Sequence, residues 1–206
     1  MKVLIASHNP GKINRFKNLL RNIEGIEIIS LNDIGITDDI SEPFLISKEN
    51  AVHKAKEYGK ISGLIVIAID DSAKTNFLPD NEQPGVFLKR FSRDKSELDD
   101  KQIVETWKEI FKKYPQGNKQ IIWDSSIAYY NPKNDSIGIT RNEKVSYVVD
   151  FSPIIPPGYP MGSFLSPEPN GKQYSELTEE RKRNYDEQTF SEFIENFKSW
   201  LVSETF

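Results

Sequence analysis

Apolar stretches and turn-forming clusters succeed one another along this chain in a way that predicts strands alternating with helices. Lys2-Val-Leu-Ile-Ala6 is an apolar run rich in strand formers, closed by the turn cluster Ser7-His8-Asn9-Pro10-Gly11-Lys12. Ile13, Phe16, Leu19, Leu20 and Ile23 then recur at helical spacing, which predicts an amphipathic helix over residues 12–23. Gly25 ends it, and Ile26-Glu-Ile-Ile29 reads as a second strand. Ser47 is placed to cap a helix over residues 48–60, with Glu49 in its first turn. Leu64-Ile-Val-Ile-Ala-Ile69 is unbroken and apolar, as expected of a strand covered on both faces, and stops at Asp70-Asp71-Ser72.

Residues 96–113 predict another helix, with Leu98, Ile103, Trp107, Ile110 and Phe111 on one side. The period then shifts toward strands over residues 120–130, 136–140 and 144–150. Residues 151–171 hold six of the twelve prolines, so they read as a long stiffened loop. Residues 178–201 read as a final helix whose stripe Phe190, Phe193, Phe197 and Leu201 is core packing. The expected fold is α/β with a mixed sheet, a single domain over residues 1–206.

Composition narrows the chemistry. A chain of 206 residues buries roughly 70% of its unfolded surface and needs no covalent staple. It has no cysteine, which removes disulfides, thiolate zinc sites, iron–sulfur clusters and a thiol nucleophile together. With only His8 and His53 available, both read as exposed, a metal must be held mainly by oxygen, which points to Mg²⁺ or Mn²⁺. The balance of 27 basic against 31 acidic residues argues against a nucleic-acid partner. The longest apolar run is far short of the ~20 residues of a membrane helix, and no signal peptide opens the chain, so a cytoplasmic protein is expected.

Three clusters can carry chemistry. Ser7-x-Asn9-x-Gly11-Lys12 sits between a strand and a helix N-terminus, where free N–H groups favour phosphate. It lacks the Walker pattern, and a plain turn with Lys12 in solvent explains it equally well. Asp70-Asp71-Ser72 ends an apolar strand, the place where open α/β sheets hold ligands. Two ionised carboxylates ~4 Å apart repel by roughly 4 kcal/mol at an effective dielectric of ~20, so the pair suits a hard dication, although solvated capping is the other reading. Neighbours on a strand point to opposite sides, so one carboxylate can hold metal while the other orients or deprotonates water. Glu42 on local grounds is an ordinary loop carboxylate, and Asn50 and Lys54 share a helix face.

Taken in order, VLIASHNPGK, INRFKNLL, ENAVHKAK, IDDSA, QPGVFLKRF and GKQYSELTEERK resemble the inosine/xanthosine triphosphate pyrophosphatase family over residues 1–182. The resemblance implies an elongated α/β fold with two lobes around a central cleft. It also implies a homodimer and Mg²⁺-dependent hydrolysis of nucleoside triphosphates to monophosphate and pyrophosphate. Ser7, Asn9 and Lys12 match the family's phosphate loop, and Glu42 its metal-associated glutamate. Asp70 and Asp71 match the metal-holding aspartate pair, Asp71 also being the proposed base, and Ser72 follows as in the family. Lys54, Arg90, Lys172 and Lys182 match basic positions around the triphosphate, and Tyr159 the one aromatic kept in the base-recognition loop.

The base-reading half departs from the family. The Gly-Phe-Gly-Tyr-Asp-Pro loop is Gly158-Tyr159-Pro160-Met161-Gly162-Ser163 here, and the Ser-His-Arg trio falls on Asp186-Glu187-Gln188. The acidic residue usual three after the loop lysine is Arg15, and Ala73 replaces a glycine. Acceptors at Asp186 and Glu187 would suit amino-bearing bases such as adenine or cytosine rather than a keto purine. A pyrophosphatase with altered base preference is the expected function. The alternative is a non-catalytic relative that binds a nucleotide, another phosphorylated ligand or a protein.

Overall fold

The computed structural model describes residues 1–91 and 96–204. Among them lie six strands and five α-helices: β1 (Lys2–Ile5), α1 (Pro10–Leu20), β2 (Glu27–Ser30), α2 (Ser47–Ser62), β3 (Ile65–Thr75), α3 (Asp100–Lys113), β4 (Gln120–Asn131), β5 (Ser136–Val148), β6 (Leu165–Ser166), α4 (Glu179–Thr189) and α5 (Ser191–Ser203). The strands form one mixed sheet in the order β2-β1-β3-β4-β5-β6. The chain divides into two compact units, one of Met1–Asp71, Ser125–Asn142 and Asp186–Phe206, the other of Ser72–Asp124 and Glu143–Tyr185.

In the first unit β1 pairs in parallel with β2 and with β3, Val3 opposite Ile28 and Leu4 opposite Val66. Strand alternation then sorts the side chains into two layers. Val3, Ile5, Ile67 and Ile69 pack with Phe16, Leu19 and Leu20 of α1 and Phe193, Phe197 and Leu201 of α5. Leu4, Ala6, Val66 and Ala68 pack with Ala51, Ala55 and Tyr58 of α2. Both faces of these strands are therefore covered, as the unbroken apolar run requires. Each fully buried large side chain contributes about 1.5–3 kcal/mol, so the parity that directs them is strongly enforced.

Local chemistry sets the helix ends. Asn9 Oδ1 accepts from the Lys12 N–H at 3.0 Å and Pro10 occupies the first helical turn, so α1 starts there. Gly63, at φ 67°, closes α2 with its N–H on the Gly59 carbonyl. In the second unit Asp99 and Gln102 form a reciprocal capping box at the start of α3. That helix buries Trp107 among Ile103, Ile121, Phe164 and Leu165.

Four expected boundaries shift. β3 does not stop at the aspartates but continues to Thr75, because Asp70 and Asp71 find cationic partners and Ala73 exchanges backbone hydrogen bonds with Gly85. β5 is one strand rather than two, its backbone extended through Arg141-Asn142-Glu143. The proline-rich loop contains a 3₁₀ turn, Pro160–Ser163, and the short β6, which pairs antiparallel with β5. The last helix is broken at Phe190, whose backbone (φ −108°, ψ 18°) leaves the helical region while its ring is buried. Ser47 is not a cap. It is the first residue of α2, and its hydroxyl lies 3.1 Å from that of Ser126.

Candidate active site

Strand parity places the two aspartates. Asp70 is two residues beyond Ala68 and so faces α2, whereas Asp71 is two beyond Ile69 and faces α1. The same rule on β4 turns Ser125 to the α1 side with Ile127, and Ser126 to the α2 side with Ala128.

On the α2 side Asn50 and Lys54, one turn apart, both reach Asp70. Asn50 Nδ2 donates to its carboxylate at 3.1 Å, and Lys54 Nζ lies 3.8 Å from it. The same ammonium bonds Glu42 at 2.6 Å and the Ile69 carbonyl at 2.9 Å. Asn50 also exchanges hydrogen bonds with the backbone of Phe44, which fixes the loop that carries Glu42. Burial, reinforced by the Glu42 charge, pushes the Asp70 carboxyl up to about 6 against the pull of Lys54, Lys12 and Asn50.

On the α1 side Lys12 Nζ lies 2.8 Å from Asp71, and the Ser125 hydroxyl donates to the same carboxylate at 2.5 Å. Burial works to raise the Asp71 pKa, but Lys12 and Ser125, with Arg15 behind them, outweigh it and hold the carboxyl well below the usual range. Burial likewise opposes the charge on Lys12, yet Asp71, Asp70 and Glu42 together keep its pKa above the ordinary value. Lys12 thus feels all three carboxylates. A solvated Lys12, the bland reading of the turn, is not what forms.

The loop before α1 is internally braced. Ser7 Oγ accepts from the Asn9 N–H at 3.1 Å, so the oxygens of Ser7 and Asn9 shape the turn. His8 is half-buried rather than exposed, with Nδ1 3.2 Å from Asn32 Oδ1 and Nε2 3.7 Å from Asp39. His53 is also half-buried, its ring edge-on to Phe44 at 5.9 Å.

Glu42 and Asp70 converge on one cation position, but Asp71 does not join them. Among the described residues no three acidic, histidine or cysteine side chains stand together as a ready metal site. The expected trio is therefore a pair plus a carboxylate on the other face. A pair still fits Mg²⁺, which commonly takes one or two carboxylates and completes its octahedron with water and phosphate oxygens.

The remaining expected positions belong to the second unit. Ser72 donates to the Asp124 carbonyl at 3.3 Å, and Arg90 lies 3.9 Å from Glu97. Tyr159 packs edge-on against Tyr174 at 5.2 Å. Lys172 is exposed in the loop after β6, and Lys182 pairs with Glu179 at 2.8 Å.

Residues 3–190 match the family model described as the Ham1 family. The chain belongs to the Ham1 family. It is 26% identical over 181 residues to the dITP/XTP pyrophosphatase of Shigella flexneri, covering 88% of this chain and 89% of that one. A dITP/XTP pyrophosphatase of Thermoanaerobacter pseudethanolicus is 38% identical over 100 residues, 48% of this chain and 49% of that one. The structure of a HAM1 protein from Coxiella burnetii superposes with a TM-score of 0.73 at 21% identity, covering 98% of this chain and 99% of that one. That likeness bears on fold alone.

This Ham1 chain handles its base-reading substitutions in an informative way. Asp186, expected as an acceptor for a base, is buried and lies 3.5 Å from Arg15 Nε, and Glu187 accepts from Arg21 at 2.7 Å. Both carboxylates answer arginines, Arg15 of α1 and Arg21 just beyond its end, so the premise for an amino-bearing base is not met. Three site residues escape the sequence reading: Asn50 in its bracing role, Ser125 and Arg15. The i,i+4 spacing of Asn50 and Lys54 was a usable signal, whereas Ser125 reaches Asp71 only through the pairing of distant segments.

Proposed function

We propose that this chain is a Mg²⁺-dependent nucleoside triphosphate pyrophosphatase, converting nucleoside triphosphate and water to nucleoside monophosphate and pyrophosphate. Its base preference departs from inosine and xanthosine alone. The observation that carries the reading is the pair of carboxylate–lysine couples, Asp70 with Lys54 and Asp71 with Lys12, at the carboxyl side of the apolar run in β3. Names of the curated relatives support the reaction class.

Glu42 and Asp70 are the residues suited to hold Mg²⁺, with Mn²⁺ as a substitute. Bound there, the ion supplies charge neutralisation and Lewis acidity toward phosphate oxygens. The chain's own groups do the rest. Lys12 and Lys54 exchange their carboxylate partners for phosphate oxygens, with Ser7, Asn9 and the N-terminal N–H groups of α1 completing the cradle. Asp71, released from Lys12, orients a water and takes its proton as the oxygen attacks the α-phosphorus. The bond from that phosphorus to the bridging oxygen breaks, and its electron pair leaves with pyrophosphate, whose charge the lysines meet. Lys172, Lys182 and Arg90 are assigned to substrate binding, and a cytoplasmic homodimer, each copy one domain, is the setting the family resemblance supports.

The test is pyrophosphate release from a panel of common, deaminated and modified nucleotides, with Mg²⁺ or with chelator. Release that needs Mg²⁺ and falls about 10²–10⁴-fold in Asp71→Asn is expected. No release from any nucleotide overturns the reading. Nucleotide-dependent stabilisation without turnover would favour the non-catalytic alternative.

A further inference from the structure

Each aspartate that follows the apolar run of β3 divides its two carboxylate oxygens between partners of different kinds. Asp71 Oδ2 faces the Lys12 ammonium at 2.8 Å, while its Oδ1 accepts the Ser125 hydroxyl at 2.5 Å. On the opposite face Lys54 stands 3.8 Å from Asp70 Oδ1, and Asn50 Nδ2 donates to Oδ2 at 3.1 Å. In both cases one oxygen answers a lysine and the other a neutral donor. All six residues lie within the first compact unit.

The two kinds of partner differ in what they can do next. A lysine is a point charge on a flexible four-carbon stem, able to pass from a carboxylate to a phosphate oxygen. Ser125 has a short side chain and is buried within β4, two residues from the core residue Ile127 on the same face. Its oxygen cannot follow a ligand out of the strand. A carboxylate deserted by its lysine has little else to set the angle of its plane, because the terminal torsion of an aspartate is broad. The Ser125 hydroxyl supplies that restraint, and a hydrogen bond to an ionised acceptor is among the stronger kinds.

We propose that Ser125 is a positioning residue, which retains one oxygen of Asp71 when Lys12 moves to phosphate and so keeps the other oxygen aimed at the water whose proton it takes. This rests on the reading of the chain as a pyrophosphatase with Asp71 as base. Ser125 touches neither the water nor the nucleotide in this role, and nucleotide binding does not draw on it. The adjacent Ser126 serves as a control within the same strand. It is buried too, but β4 turns it to the α2 side, where its hydroxyl lies 3.1 Å from that of Ser47.

The test is a split between turnover and binding. Ser125→Ala should lower kcat about ten- to hundredfold, the scale on which misplacing a reacting group is felt. KM, and the calorimetric affinity for a non-hydrolysable nucleoside triphosphate analogue, should stay within about twofold of wild type. Ser125→Thr, which keeps the hydroxyl, should recover most of the loss. Ser125→Cys, similar in shape but a weak donor, should not, and it replaces the alanine variant if that one does not fold. In an Asp71→Asn background the alanine change should cost nothing further, because the two residues act as a unit. Wild-type kcat in a folded Ser125→Ala overturns the assignment. So does an equal fall in Ser126→Ala, or a loss of affinity that matches the loss of turnover, since either makes the effect one of packing. A wild type without turnover takes down the pyrophosphatase reading and this one with it. An active wild type beside an unaltered Ser125→Ala sinks this one alone.

Discussion

Asp70 and Asp71 are consecutive in sequence yet leave β3 on opposite faces, Asp70 toward Lys54 of α2 and Asp71 toward Lys12 of α1. The alternation of a strand therefore separates two negative charges that a turn would have crowded together. Each receives its own lysine, and the two carboxylates carry proton affinities displaced in opposite directions.

That divergence gives the metal-free protein a defined pH response. The folded state binds the Asp70 proton more tightly than the unfolded chain does, with a pKa of about 6 against 3.8. Stability from this group is therefore full below about pH 4 and falls as pH rises to about 6, by up to ~3 kcal/mol. Asp71 runs the other way, its contribution present above its unfolded pKa and lost as pH falls. Asp70→Asn should be more stable than wild type above pH 6 and lose that advantage toward pH 4. Thermal midpoints across pH 4–8 in chelator will show it, and a constant difference would contradict it.

Mg²⁺ should reverse that ranking. With the ion at about 100 times its Kd, wild type gains about 2.7 kcal/mol, whereas Asp70→Asn and Glu42→Gln gain far less. Thermal shift against Mg²⁺ concentration reads this without any substrate. Equal shifts in all three proteins would place the ion elsewhere.

Removing Lys12 has two separable effects. Lys12→Met leaves Asp71 without its cation and should destabilise the fold by about 1–3 kcal/mol, less than a fully buried pair because both groups keep some exposure. Adding Asp71→Asn should recover most of that stability. Activity should stay low in both, because the phosphate contact and the water-orienting carboxylate are missing. Chemical denaturation of the four proteins of this cycle measures the coupling, and strict additivity would mean the pair carries none.

Two glycines mark where α2 and β5 approach tyrosines of β4. A Cβ on Gly59 would stand 2.6 Å from the Tyr130 ring, and one on Gly138 1.8 Å from Tyr129, both rings being buried. Gly59→Ala should therefore lower stability by about 1–3 kcal/mol although alanine favours helix, and Gly138→Ala should cost more. Because Gly59 shares α2 with Asn50 and Lys54, its variant should also raise KM. A stabilised Gly59→Ala would show that the ring gives way.

The sequence made the opposite orientation of the aspartates legible, since it follows from a period of two once the apolar run is read as a strand. The covered faces of β3 were equally legible. What stayed hidden depends on partners distant along the chain. Glu42 stood out only through the family resemblance, because nothing local announces that Lys54 will reach it. Strand continuation past Asp71 was hidden because paired aspartates read as a stop when their lysines are not in view.

Lys54 donates at once to Glu42 and to the Ile69 carbonyl, beside Asp70, so the resting protein carries its own counter-ion. Loading a dication into that corner then amounts to ion exchange, and the evicted ammonium needs a polyanion to receive it. Salt alone is a poor occupant, and a polyphosphate alone forfeits half of the compensation. On the proposed reaction the two would arrive most favourably as one package, and simultaneous uptake of metal and nucleotide would follow from a single side chain's three allegiances.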